Sequence, residues 1–167
     1  MMNKWLSRRS VLAGASALGL GACAQQPPTR YDTDHVFILK GQRRLFLIHN
    51  RLPVAEYQVD LGFEPLGHKA AEGDGRTPEG LYWVDRKNPR SSFHLSVGID
   101  YPNARDIAVA KAMGVDPGGD IFIHGQPNGA RDDSDPDWTA GCIAVSNAEM
   151  EEIFASVAVG TPVAIHA

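Results

Sequence analysis

The sequence predicts a mostly β domain with one or two short α-helices. Three observations carry that expectation. Short apolar or alternating segments recur between turn-forming residues. Helical spacing with recognisable caps occurs in only two places. No glycine-rich turn joins a strand to a helix in the way a βαβ nucleotide fold requires.

The elements follow in order. Val36-Phe37-Ile38-Leu39 and Leu45-Phe46-Leu47-Ile48 flank Lys40-Gly41-Gln42-Arg43-Arg44, a hairpin signature with glycine in the turn. Residues 54–61 alternate as a third strand, and 81–84 and 93–99 give two more. Ile121-Phe122-Ile123-His124 is a short strand ending at glycine, and Cys142-Ile143-Ala144-Val145 is another. Thr161-Pro162-Val163-Ala164-Ile165 is expected to close the sheet, its proline favouring an edge or a strand start. Residues 104–113 have helical spacing and stop at Gly114. Ser146-Asn147-Ala148-Glu149 is a capping box opening a second helix through Met150, Ile153, Phe154 and Val157, with Gly160 beyond its end.

The first 22 residues read as an export signal. Lys4, Arg8 and Arg9 form a basic start, and residues 11–20 are apolar and small but too few to span a bilayer. Ser7-Arg8-Arg9-Ser10-Val11-Leu12 carries the twin-arginine pattern of export in the folded state. Leu20-Gly21-Ala22-Cys23 resembles a bacterial lipobox, which implies cleavage before a lipid-modified Cys23 that would hold the protein to a membrane. The competing reading is an ordinary N-terminal helix with an incidental cysteine. Residues 23–33, with their Pro27-Pro28 pair, read as the lipidated end and a tether. Residues 34–167 remain as one domain, large enough for a real core. Export implies the periplasm. Ala24 after the cysteine does not resemble the aspartate signal for inner-membrane retention, which favours the outer membrane.

Losing three basic residues and no acid takes the net charge from −4 to −7. No basic stripe or interleaved aromatics offset that charge, so nucleic acid is excluded as a partner. With Cys23 acylated, Cys142 is the only thiol left and cannot form an intramolecular disulfide. It is either buried and inert or kept for its chemistry.

The surroundings of Cys142 bear on that choice. An apolar strand delivers His124 to Gly125, where the chain turns. A loop rich in Asp, Asn, Gly and Pro follows, and then Cys142 stands between Gly141 and the next apolar strand. Thiol-based acyl transfer needs an imidazole to take the thiol proton and backbone N–H groups for the oxyanion. Adjacent strand ends can bring the two side chains together, and Gly141 lets the backbone approach a carbonyl closely.

The motifs His124-Gly125 and Thr139-Ala140-Gly141-Cys142, 18 residues apart from base to thiol, resemble those of the L,D-transpeptidase catalytic domain (YkuD) family. The segment from Gly73 through Arg76-Thr77-Pro78-Glu79-Gly80 to Tyr82 and the pieces Phe93-His94-Leu95-Ser96 and Tyr101-Pro102-Asn103 agree in order, so the resemblance covers roughly 34–166. It implies a β-sandwich or mixed sheet with the cysteine at a strand start. Cys142, activated by His124, would attack a carbonyl of a peptidoglycan stem tetrapeptide. Backbone N–H groups around Gly141 and Cys142, with Gly125, would serve the oxyanion, and no metal or organic cofactor would be needed. Ala144 stands where many members carry Arg or Asn, and Ala140 where a histidine is frequent. That combination resembles the murein transpeptidase-like branch, some of whose members hydrolyse wall-to-lipoprotein links. The acceptor is therefore open between an amine and water, and a wall-anchored lipoprotein is a further candidate partner. A non-catalytic, wall-binding lipoprotein is the third reading.

Other candidates have plain alternatives. Trp138 either stacks on substrate or anchors its loop, and Thr139 is placed to touch substrate beside the cysteine. Arg76 and Arg131 could pair with stem-peptide carboxylates, though exposed arginines are common. His94 lines the cleft or is a structural histidine. His68, His94 and His124 lack metal-ligand spacing. Asp133-Ser134-Asp135-Pro136-Asp137 opens like a calcium loop but lacks the required glycine and glutamate, so it reads as a solvated acidic wall of the cleft.

Overall fold

The fold is taken from a computed structural model that describes residues 27–129 and 135–167. Eight strands form one mixed sheet in the order β3-β2-β1-β8-β4-β5-β6-β7. The predicted hairpin is present as β1 (His35–Leu39) and β2 (Arg44–His49), with β3 (Leu52–Gln58) antiparallel to β2. Val36, Ile38, Leu45 and Leu47 alternate with wetter neighbours and are fully buried, so one face of the hairpin makes the core.

The last strand differs from its expected place. β8 (Pro162–His166) lies mid-sheet, parallel to β1 and antiparallel to β4 (Gly80–Ser91). Val163 and Ile165 are buried there, which an edge would leave half wet. Pro162 keeps to the start of the strand, where its missing N–H costs the ladder least. β4 also runs seven residues beyond the apolar segment that announced it, through polar 85–91. Two cation-bearing stems explain the extension. The Arg86 guanidinium lies 4.5 Å from the centre of the Phe122 ring, and the Lys87 ammonium 4.2 Å from that of Phe154, so long polar side chains cover apolar rings.

Both expected helices form where their caps stand. α1 (Ala104–Met113) is capped by Asn103 and stops at Gly114 in the left-handed region. α2 (Asn147–Ser156) has the Ser146–Glu149 capping box and buries Met150 and Ile153. No helix among the described residues is long and apolar enough to cross a membrane.

The site end of the sheet is made of β5 (His94–Ile99), β6 (Phe122–His124) and the two-residue β7 (Ile143–Ala144). The chain leaving β3 reaches across to it. Asp60 and Ala144 exchange backbone hydrogen bonds of 2.8 and 2.9 Å, and Gly62 bridges Thr139, so the segment after one edge strand is tied to the strand at the other edge.

Candidate active site

β6 and β7 run parallel, with Ile123 opposite Ile143 and His124 opposite Ala144. Extending the register back one residue sets Cys142 beside Phe122. Residues two apart share a face, so Cys142, the residue that enters β7, falls on the face of His124, two positions along. Ile123 and Ile143 are fully buried and fix that register through the core.

His124 is only 3% exposed. Its Nδ1 lies 2.7 Å from the Gly125 carbonyl, an acceptor, so Nδ1 carries the proton and Nε2 the lone pair. Burial pushes the imidazole below its ordinary value, against the opposing pull of the Gly125 carbonyl and the Asp60 charge. Its ring sits 4.5 Å from that of Phe93 and edge-on to that of Trp138 at 5.6 Å. The Trp138 Nε1–H donates to Asp60 at 2.9 Å, so the indole anchors its loop and walls the histidine together.

The half-buried Cys142 thiol donates to the Asp120 carbonyl at 3.5 Å. Burial pushes this thiol up. A backbone bond from Phe122 opposes that shift, the Asp120 charge adds to it, and the Lys69 charge opposes it. Thiol and imidazole therefore both rest neutral near pH 7.

The loop before the cysteine is held by its own atoms. The Thr139 hydroxyl, 4% exposed, donates to the Cys142 carbonyl at 2.7 Å and accepts from the Gly141 N–H at 3.1 Å. Gly141 has φ 126°, and a Cβ there would come within 2.6 Å of the Arg76 carbonyl oxygen. Two of the backbone N–H groups expected at the oxyanion have partners in the structure. The Gly125 N–H is bonded to the Phe93 and Leu95 carbonyls and the Gly141 N–H to Thr139, so neither donor is free. Ladder pairing and loop closure have taken both.

The remaining candidates separate. Arg76 meets the site through its backbone. Its guanidinium lies by Gly67, 3.7 Å from where a Cβ would stand there, and its Nε is buried without a partner. His94, at φ 65°, bonds the Glu151 carboxylate at 2.9 Å and so ties β5 to α2. His68 accepts from the Glu79 N–H and faces Asp106, well apart in pairing from His94 and His124. No group of three or more His, Cys, Asp or Glu among the described residues is arranged to hold a metal. Pro136 and Asp137 at the end of the acidic loop take bonds from Arg43. Arg131, Asp133, Ser134, Cys23 and the export signal 1–22 lie outside the described residues.

Sequence reading gave no site role to Asp60, Phe93, Lys69 or Asp74. Gly62 and Gly75 were the available signals, since an isolated glycine in an extended segment marks close backbone approach. A Cβ on Gly62 would fall 2.0 Å from the Gly75 carbonyl oxygen and 2.9 Å from the Gly141 Cα.

The profile of the L,D-transpeptidase catalytic domain (YkuD) matches residues 33–165. The YafK protein of Escherichia coli, assigned by name to the L,D-transpeptidases, is 34% identical over 91 residues, 53% of this chain and 31% of that protein. The helical cell shape determining protein Pgp2 of Campylobacter jejuni is 31% identical with a TM-score of 0.61, over 78% of this chain and 46% of that one. Bd1075 of Bdellovibrio bacteriovorus shares the fold at 24% identity and a TM-score of 0.57, over 81% of this chain and 48% of its own. The chain thus spans about a third of the curated relative and about half of these solved chains.

Proposed function

The chain belongs to the L,D-transpeptidase catalytic domain family, and from that premise we propose a cysteine-dependent acyltransferase of peptidoglycan, with Cys142 as nucleophile and His124 as base. The single observation that supports it best is the parallel register of β6 and β7, which, extended by one residue, puts Cys142 on the face of His124. The neutral imidazole, its Nδ1–H bound to the Gly125 carbonyl, offers Nε2 to the thiol proton. The sulfur then attacks the carbonyl of the L-centre of diaminopimelate in a tetrapeptide stem. A C–S bond forms, the amide C–N bond breaks, and terminal D-Ala leaves as an amine carrying the proton from His124. With the Gly125 and Gly141 N–H groups engaged, the N–H of Cys142 itself is the backbone donor beside the new oxyanion. An amine or water, deprotonated by His124, resolves the thioester. An amine gives a crosslink and water gives a trimmed stem. Where the amide attacked joins the stem to a wall-linked lipoprotein, that lipoprotein's amine leaves in the first step in place of D-Ala, and water then frees the stem.

Incubating the purified protein with tetrapeptide muropeptides and recording its intact mass tests the assignment. The expected result is one acyl adduct on Cys142, absent from Cys142→Ala; an adduct of equal yield on that variant sinks the proposal. The same incubations identify the acceptor, since crosslinks that depend on added amine mean transfer and shortened stems without it mean hydrolysis.

A further inference from the structure

Lys69 is a lysine only 3% exposed, and the chemistry just described makes no use of it. Its ammonium donates to Asp74 at 2.9 Å and to the Ala71 carbonyl at 3.0 Å. Asp74 in turn accepts the N–H groups of Ala70, Ala71 and Arg76 at 2.8, 3.0 and 3.0 Å. One ion pair therefore closes the whole turn from 69 to 76.

That turn touches both backbone segments that hold the Cys142 sulfur. On one side the Arg76 carbonyl abuts Gly141, and the Gly75 carbonyl accepts from the Glu64 N–H, beside the Gly62 crossing. On the other side the Glu72 N–H donates to the Asp116 carbonyl at 2.7 Å. The Tyr101 hydroxyl joins the Lys69 and Pro117 carbonyls, and this same loop continues to Asp120, whose carbonyl takes the thiol. A surface turn would not need a buried charge pair, because burying two charges costs more than their attraction returns unless further bonds satisfy them. Here they are satisfied by the bonds of the turn itself.

We propose that Lys69, locked by Asp74, is a positioning residue for Cys142: it clamps the turn between the two segments that cradle the sulfur and holds a fixed positive charge on the side where the thiolate forms. The proposal rests on reading Cys142 as the nucleophile. Among the described residues, the charges acting on the sulfur are those of Asp120 and Lys69. Asp120, on the loop before β6, is paired with Arg86 of β4 at 2.8 Å. His124 lies on β6, and Lys69 with Asp74 lies on the turn. Asp120 disfavours the thiolate and Lys69 favours it. On a sulfur that must ionise while half-buried, the Phe122 backbone bond favours the thiolate first and the Lys69 charge adds to it.

Alkylation of Cys142 by iodoacetamide, followed from pH 6 to 11 by peptide mass spectrometry on the full chain, reads this directly. Lys69→Met is expected to move the midpoint upward, slowing alkylation at pH 8 by about three- to tenfold while the high-pH plateau stays within about twofold. Lys69→Arg is expected to restore the midpoint. A merely structural lysine would change the plateau or the melting temperature and leave the midpoint alone, so a folded Lys69→Met protein with the wild-type midpoint overturns the proposal. Should Lys69→Met fail to fold, Asp74→Asn keeps the ammonium and removes its counter-charge. Its midpoint is then expected to fall, and an unmoved or raised one overturns the proposal. Alkylation needs no stem peptide, so a failure of acyl transfer and a failure of this inference give different results.

Discussion

The hairpin side of the sheet and the site side are built by different means. β1, β2 and β8 are continuous strands whose alternate residues are fully buried, and their positions follow from apolar period and ladder pairing. β6 and β7 have three residues and two. Their neighbourhood is held by bonds from side chains to backbone, by the backbone crossing at Gly62 and Gly141, and by one buried ion pair. The first side can lose a methyl group and keep its shape. The second has little redundancy, because each contact is specific to one atom.

The strongest way to break this contrast is Gly141→Ala. The added Cβ meets a backbone carbonyl at 2.6 Å, in a backbone conformation that side chains avoid. Relief would shift the cysteine loop. We expect a stability loss on the order of 3 kcal/mol by urea unfolding. Acylation of the folded fraction should fall about a hundredfold. Wild-type values for both would mean that the crossing is slack.

Ile38→Ala asks the same of the hairpin side. Ile38 is fully buried on β1 between Leu45 and Ile165. Its truncation should cost about 2–5 kcal/mol in urea. The acylation rate per folded molecule should stay at the wild-type level. A rate that falls with stability would show that the two sides move as one.

The same contrast sets what the sequence could reveal. Both helices were legible from helical spacing, Gly114 and the Ser146–Glu149 box, because caps are local chemistry. The hairpin was legible from alternation. The place of β8 was not, since a strand's own pattern does not name its neighbours. The polar arm of β4 was hidden because its cover comes from Arg86 and Lys87 stems on rings distant in sequence. At the site, Cys142 and His124 stood out by residue type and by the glycines before the one and after the other. Asp60, Lys69 and Asp74 did not, because a charged residue becomes an organiser only once folding supplies its partners.

Acid sharpens the contrast at its smallest expected scale. Burial pushes the Asp74 carboxyl up, but the N–H groups of Ala70, Ala71 and Arg76, with Lys69, more than reverse this and bring it from 3.8 to about 2. A carboxyl lowered on folding contributes stability that is whole above the unfolded value and is lost as pH falls through the folded one. The window is therefore below pH 4, down to about 2, and the side chain is only 18% exposed, so solvent screens it little. Two pH units are worth roughly 2–3 kcal/mol, and about 2 is expected here. Urea unfolding at pH 5 and pH 2 should show that loss, and Asp74→Asn should remove it from the difference between the two pH values. Ile38→Ala should retain the full acid loss on top of its own deficit, because Ile38 packs between Leu45 and Ile165 and not against the 69–76 turn. An Asp74→Asn protein with the wild-type acid slope would place the sensitivity outside the 69–76 turn, and the two sides of the sheet would then differ in geometry alone.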